Sequence, residues 1–377
     1  MLALVVYPIG TWAGFHRRPM LEALARNLVG KALILVVAPP LDGLKSLQSG
    51  EWREPARTVL RRIEQQSKNV WLLRSFKMPG PHQFHKGIAR TVDWALRRLP
   101  SVTRVAALVF RPEQLACLGL ASEDYVIYEC YDEYRRGKDG ELIPHVCELE
   151  RTLLKQADLV LTTSKPLCES RSLDHSHVAY SPNGVDTRLF GKALGELQTP
   201  EDMANIEHPI IGYIGNIAWW LNFDLLETVA ASMPQAQFVF IGPVSEQAGA
   251  NRLDHHPNVH FLGLKPRSTL PGYLRQMNAA LCPFHTVDYL QKARPLTILE
   301  YLSAGKATVT TPLAAIEDLL DVLYPATTPE EVLAAIGTAL TEADEPEHIA
   351  ARVQRAAAND WDVLTKKTAD AILRACV

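Results

Sequence analysis

The chain has 377 residues, a formal net charge of −3, and 47% hydrophobic against 21% charged residues. That length suits two domains. The composition excludes a disordered, collagen-like or disulfide-stapled chain, and the near-neutral balance leaves no global nucleic-acid footprint. Six cysteines, at positions 117, 130, 147, 168, 282 and 376, form no CxxC pair; reduced thiols in a cytoplasmic chain are expected, and no zinc site.

The first apolar run, Leu2–Ile9, is short, lacks a basic leader and ends at Pro8 and Gly10. It reads as a β-strand and not as a signal peptide. No segment approaches the ~20 apolar residues needed to cross a bilayer. Further strands are predicted at 32–38, 70–74, 105–110, 125–129, 158–162 and 177–180. They are rich in Val, Leu, Ile and Tyr without strict alternation, as in parallel strands covered on both faces. Helical periodicity fills the intervals, at 19–28, 58–66 and 84–99. The β–α–β order predicts a doubly wound α/β domain over 1–190.

The stretch 191–209 carries Gly, Pro, Asp, Glu and Asn without an apolar run and is the expected linker. Alternation resumes with strands at 209–214, 237–241, 258–262, 279–282 and 307–311, and helices at 222–232, 270–276, 295–304 and 330–340. This predicts a second α/β domain over 210–346. A helical tail, 347–377, is expected to pack back on the first domain.

Charge is uneven. Residues 51–111 contain thirteen basic residues against four acidic ones. Between 84 and 99, Phe84, Ile88, Val92, Leu96 and Leu99 recur near helical spacing among His85, Lys86, Arg90, Arg97 and Arg98. Such a helix suits an anionic membrane surface; equally, it suits a core-packed helix with a solvated basic face.

No GxGxxG follows a predicted strand, and no Gly-Lys pair is followed by Ser or Thr. A dinucleotide-binding oxidoreductase is disfavoured and a P-loop enzyme excluded. In the second half, Ile211-Gly-Tyr-Ile-Gly215-Asn216 is a strand running into a turn and then a helix. Glycines there let backbone approach a ligand, and free N–H groups near a helix start attract anions. In Arg294-Pro-Leu-Thr297-Ile-Leu-Glu300, Pro295 suits a first helical position and Thr297 lies in the first turn, at the positive end of the dipole. Glu300 stands on an otherwise apolar helix, where a carboxylate should bind something; a ribose diol is one partner.

Together, Pro182-Asn-Gly-Val-Asp186, Gly212-Tyr-Ile-Gly215 and Leu299-Glu-Tyr-Leu-Ser-Ala-Gly-Lys306 resemble the group 1 glycosyltransferases. Phe240-Ile-Gly-Pro243, Asn258-Val-His-Phe-Leu-Gly263, Leu270-Pro-Gly-Tyr-Leu274 and Pro283-Phe284 narrow the resemblance. They resemble a bacterial subset acting in exopolysaccharide and lipid-linked glycan assembly, to which the xanthan-type glucuronosyltransferase is related in fold. The resemblance implies a GT-B fold: two Rossmann-like domains facing a cleft, with acceptor on the first and nucleotide sugar, UDP before GDP, on the second. It further implies that Glu300 binds the ribose, that Gly215 and Asn216 approach the diphosphate or sugar, that Thr297 and the helix start take the diphosphate, and that Pro243 and Phe284 line the nucleotide pocket.

Two departures matter. Many relatives carry Lys where Thr297 stands, so Arg294 or Lys292 would have to substitute. Many also carry a glutamate at the position of Lys292, so the stereochemistry stays open. For the acid–base group, Asp132 and then Glu133 follow the strand at 125–129, at the end where open α/β sheets place ligands. His16, after the first βα loop, is the third candidate.

Asp360-Trp-Asp362 spells a DxD metal motif, but it is read as helix capping with Trp361 as a packing anchor, and no metal or other cofactor is expected. The reading is therefore a metal-independent glycosyltransferase, cytoplasmic and peripheral on the membrane's inner face. Its partners would be a nucleotide sugar and a glycan or lipid-linked acceptor. A nucleotide-sugar epimerase of the same fold and a catalytically silent GT-B scaffold remain open as alternatives.

Overall fold

The computed structural model describes residues 1–40, 58, 61–75, 81–99, 101–137, 139–246 and 249–376. The chain divides into two compact units, Met1–Pro182 with Trp361–Val377, and Asn183–Asp360.

In unit 1, the apolar runs become strands β1 (Leu2–Val6), β2 (Ala32–Val37), β3 (Ile63–Ser67), β4 (Val70–Leu73), β5 (Arg104–Val109), β6 (Tyr125–Cys130), β7 (Leu159–Thr162) and β8 (Val178–Tyr180). The sheet order is β3-β4-β2-β1-β5-β6-β7-β8. Every pairing is parallel except β3 with β4. Strands β1 and β2 are buried along their whole length, which is why their sequences do not alternate. Helices α1 (Arg18–Asn27), α2 (Pro81–Leu96), α3 (Pro144–Gln156) and α4 (Lys165–Ser172) supply crossovers.

The helix expected at 58–66 is a correction: residues 63–67 form the antiparallel edge strand β3, and residues 59–60 lie outside the described residues. Ile63-Glu-Gln-Gln-Ser67 is polar and largely exposed, as suits an edge strand, and it gave no strand signal.

On α2, Ile88, Val92, Ala95 and Leu99 just beyond its end join the core cluster of unit 1, while Arg90, Arg97 and Arg98 are exposed. Among the described side chains the apolar stripe is thus taken up by packing and the exposed ones are charged, while the Phe84, His85 and Lys86 side chains lie outside the described residues. Arg98 and Arg62 lie over the Trp94 ring, 4.2 and 5.0 Å from its centroid. Arg53, Arg57 and Lys77 of the basic region lie outside the described residues.

Unit 2 holds β9 (Ile210–Ile214), β10 (Gln237–Ile241), β11 (Val259–Gly263), β12 (Ala279–Cys282), β13 (Ala307–Thr310) and the short β14 (Tyr324–Pro325). They form one all-parallel sheet, β11-β10-β9-β12-β13-β14, the dinucleotide-fold order in which the switch point lies between the first and fourth strands. Its helices are α5 (Thr187–Phe190), α6 (Phe223–Ser232), α7 (Leu270–Gln276), α8 (Leu296–Ser303), α9 (Pro329–Thr341) and α10 (Pro346–Ala358). The stretch expected as a linker, 191–209, lies inside this unit. It forms 3-10 turns at Gly191–Leu194 and Glu201–Met203.

The tail is two helices. Helix α10 stays with unit 2, while α11 (Trp361–Ala375) belongs to unit 1. There Asp362 pairs with Arg26 at 2.6 Å, Asn27 donates to Thr365 Oγ1 at 2.9 Å, and Arg17 lies 5.4 Å from the Trp361 ring. No helix of the described residues is long and apolar enough to cross a membrane.

Trp361 is 4% exposed. Trp361→Ala should destabilise unit 1 by about 3–5 kcal/mol, read as a lowered denaturant midpoint. A loss under ~1 kcal/mol would show that α11 is not anchored through this ring.

Candidate functional site

In unit 1 the candidate groups sit on loops leaving the C-terminal ends of three adjacent strands. His16 follows β1, Arg111 follows β5, and Tyr131 and Asp132 follow β6. The sheet's order reverses direction between β1 and β5, the topological switch point where open α/β sheets bind ligands. Tyr131 is the hub. Its ring is T-shaped to His16 at 4.7 Å, and its hydroxyl accepts from Arg111 Nε at 3.4 Å.

Of the two carboxylates expected there, only one is available. Glu133 is 3% exposed and grips Arg171 with both oxygens, at 2.9 and 3.1 Å. Arg171 also donates to Glu150 at 3.2 Å, and Glu150 accepts further from Tyr128 Oη at 2.7 Å and from Arg135. Glu133 is therefore part of a buried ionic network, which corrects its assignment as a base. Asp132 is half-buried and outside that network. Its Oδ1 accepts from the Glu133 amide at 2.8 Å. Burial raises its pKa, with the Glu133 charge adding to the rise, while the amide bond, Arg111 and Arg171 oppose it.

Desolvation, and then the charges of Arg17 and Arg111, push the His16 imidazole down to about 4. The ring is thereby held neutral at neutral pH, and it keeps solvent-exposed surface.

In unit 2 the candidate groups gather at the ends of β9 and β10 and at the start of α8. Gly215 has φ +157° and Gly242 φ +146°. A Cβ on Gly242 would overlap the Gly215 carbonyl, and one on Gly215 would lie 2.7 Å from Tyr213 Oη and 3.4 Å from Thr297 Cγ2. Only glycine allows the two strand ends and the α8 start to close this tightly. The turn is further fixed by Tyr213 Oη donating to Asn216 O at 3.1 Å, by Ser245 Oγ donating to Asn216 Oδ1 at 3.3 Å, and by Ile214 N donating to Tyr301 Oη at 2.6 Å.

Pro295 is the N-cap of α8 and not its first residue, so the helix starts one residue later than expected, and the Pro295 side chain makes no capping hydrogen bond. The first-turn N–H groups therefore lack a side-chain cap, and the positive end of the dipole lies beside Gly215.

Glu300, 7% exposed, accepts from Arg267 Nη1 at 2.9 Å. Arg267 in turn lies 4.9 Å from the Phe190 ring. Burial raises the Glu300 pKa, Arg267 opposes the rise, and Asp186 adds to it.

Two expected donor residues are placed otherwise. Arg294, 3% exposed, spends its guanidinium on Asp318 at 2.6 and 3.0 Å, Ala315 O at 2.8 Å and Asn359 at 3.3 Å; it cannot also neutralise a diphosphate. Phe284, 6% exposed, lies in the core cluster of unit 2, whereas Pro243 is exposed. The DxD carboxylates are committed separately. Asp360 Oδ2 accepts from the Thr187 amide at 3.2 Å and from its hydroxyl, and Asp362 pairs with Arg26. Sequence reasoning missed Arg267, Gly242, Ser245, Tyr131 and Arg111. Only Gly242, at a strand end like Gly215, carried a local signal.

Residues 208–358 match the family described as Glycosyl transferases group 1. The teichuronic acid biosynthesis glycosyltransferase TuaH of Bacillus subtilis (strain 168) is 27% identical over 210 residues, 52% of this chain and 52% of that protein. The match thus spans about half the length of that curated relative. The fold is shared end to end with sucrose-phosphate synthase from Thermosynechococcus elongatus (TM-score 0.67, 15% identity, 99% of each chain covered). It is shared equally with HepE of Anabaena in complex with UDP (0.64, 14%, 99% of each), and with the E. coli trehalose-6-phosphate protein bound with UDP-2-fluoro glucose (0.68, 13%, 99% of each). Residues 208–358 thus match the group 1 glycosyltransferases, and the chain as a whole has the two-sheet α/β fold of the GT-B glycosyltransferase structures.

Proposed function

We propose that the chain transfers a glycosyl group from a uridine diphosphate sugar to a hydroxyl of a glycan or lipid-linked acceptor. The observation that carries this reading is the uncapped start of α8 closed against Gly215, with the buried carboxylate of Glu300 one turn further along the same helix. The first-turn N–H groups of α8 hold the diphosphate and stabilise the charge that grows on it as the sugar–oxygen bond breaks. Glu300, its Oε1 held by Arg267, offers its second oxygen to the ribose diol. UDP in HepE and UDP-2-fluoro glucose in the E. coli protein support uridine over guanosine. Teichuronic acid biosynthesis in the TuaH name supports a polysaccharide product. The DxD carboxylates serve Thr187 and Arg26, so the helix start takes the diphosphate charge in place of a DxD-bound cation.

The acceptor hydroxyl is deprotonated by Asp132, which directly follows the end of β6 and lies outside the Arg171 network, with His16 as its neighbour across Tyr131. The exposed Arg90 of α2 and Arg97 and Arg98 just beyond its end offer an electrostatic contact to an anionic membrane, where a lipid-linked acceptor would be met.

Glu300→Gln should keep the fold and weaken UDP binding by about 1.5–3 kcal/mol in isothermal titration, while EDTA leaves the wild-type affinity unchanged. Equal affinity in the variant would remove Glu300 from the ribose, and loss of binding on chelation would remove the metal-independent reading.

Asp132→Asn should lower turnover by about 10²–10⁴-fold with UDP affinity preserved. A base must be ionised to act, so wild-type kcat falls as the pH drops through a pKa raised above the ordinary ~3.9 of aspartate. This acid limb should be absent from the residual activity of Asp132→Asn. A variant with near wild-type turnover would transfer the role to His16 or to the departing phosphate.

A further inference from the structure

Unit 2 carries a second group of reactive side chains that sugar transfer does not use. Glu227 on α6 lies against His255 and His256, in the turn between the 3-10 segment Ala250–Leu253 and β11. One donor atom from each of the three lies within 4.8 Å of the others. His255 Nε2 is 3.9 Å from Glu227 Oε1, and the two imidazole centroids are 4.1 Å apart at 38°. The second oxygen, Oε2, accepts from Arg252 at 2.9 and 3.2 Å, which leaves Oε1 toward the histidines. Asp224 also pairs with Arg252, so the two carboxylates outweigh the single guanidinium and the cluster is net acidic. Independently, Nε2 of His256 is buried without a hydrogen-bond partner, and a buried lone pair left unmet calls for an occupant.

We propose that Glu227, His255 and His256 bind a borderline divalent cation, zinc first among them, with water completing the coordination. Two imidazoles and one carboxylate select such ions over magnesium and calcium, which prefer oxygen throughout. Zinc bonds of about 2.0–2.2 Å place tetrahedral ligand atoms ~3.4 Å apart. The observed spread is wider, and the exposed His255 closes it by side-chain rotation.

The ion would clamp the turn before β11 onto α6. His256 O accepts from Val259 N at 3.1 Å, and Val259 pairs beside Phe238 near the start of β10. The site therefore lies where the parallel strands begin, whereas Gly215 and Gly242 lie where they end. Five-residue strands separate these two edges by roughly 15 Å. The role is structural, and UDP affinity is independent of it.

The test strips the full chain with EDTA, removes the chelator, and titrates zinc chloride by calorimetry, with magnesium chloride as control. The expected result is one zinc per chain at low-micromolar affinity or tighter, no magnesium binding, a raised melting temperature and unchanged UDP affinity. His255→Ala and Glu227→Gln should each weaken zinc binding by about tenfold or more. His255 is exposed, so its variant keeps the fold and carries the test even if His256→Ala unfolds. Zinc binding that survives in His255→Ala and Glu227→Gln, binding only at millimolar zinc, or competition by magnesium would each overturn the site.

Discussion

A guanidinium taken out of water must be met by carboxylates, and the loop after β6 is organised by that requirement. Arg171 is fully buried between Glu133 and Glu150, with Tyr128 and Arg135 completing the bonds of Glu150. Removing one member of such a cluster leaves an uncompensated buried charge, at a cost of about 3–5 kcal/mol. The network therefore fixes the backbone of residues 131–135. Two adjacent acidic residues become unlike. Glu133 turns inward to the arginine, while Asp132 stays at the strand's mouth with its pKa raised by partial burial. A carboxylate that is held in place but not ion-paired is what proton transfer requires.

Unit 2 solves the same problem differently. Arg294 spends both Nη groups on Asp318 and on carbonyl and amide oxygens at the segment leading into α8. Glu300, four residues into that helix, is met on one side only, by Arg267, whose own position is set against Phe190. With Arg294 occupied, the positive potential at this end of the sheet comes from the α8 dipole, whose start is closed against Gly215. Thr297 stands beside that turn, its methyl group 3.4 Å from where a Cβ on Gly215 would lie.

Most of the architecture was legible because buried parallel strands announce themselves as unbroken Val, Leu and Ile runs. Each of the five strands expected in 209–311 lies within two residues of an observed one. Strand β3 was not legible: an exposed, antiparallel edge of Ile63-Glu-Gln-Gln-Ser67 needs no apolar pattern, only a neighbour with free backbone groups. At the sites, Glu300 and Gly215 could be found from chain-local context, a lone acid on an apolar helix and a glycine at a strand end. Arg267, 33 residues before Glu300, and Arg171, 38 residues after Glu133, could not. Partnerships across that distance are made by the sheet, and so Glu133 and Arg294 looked as free as Asp132.

Helix α10 ends in one unit and α11 begins in the other, and the junction has a topological meaning. Val185 N donates to Asn359 O at 3.0 Å, and Val185 bridges Asp360, so unit 2 enters and leaves its own body at neighbouring points. Unit 2 is in this sense an insertion into unit 1, spliced between Pro182 and Trp361. A cut at either junction alone leaves unit 1 incomplete: the piece ending at 182 lacks the helix that carries Trp361 against Arg17. The natural dissection is an excision, 183–360 as one polypeptide and 1–182 rejoined to 361–377 as the other. Chimeras that exchange donor specificity between relatives of this chain would best be built on those two seams together.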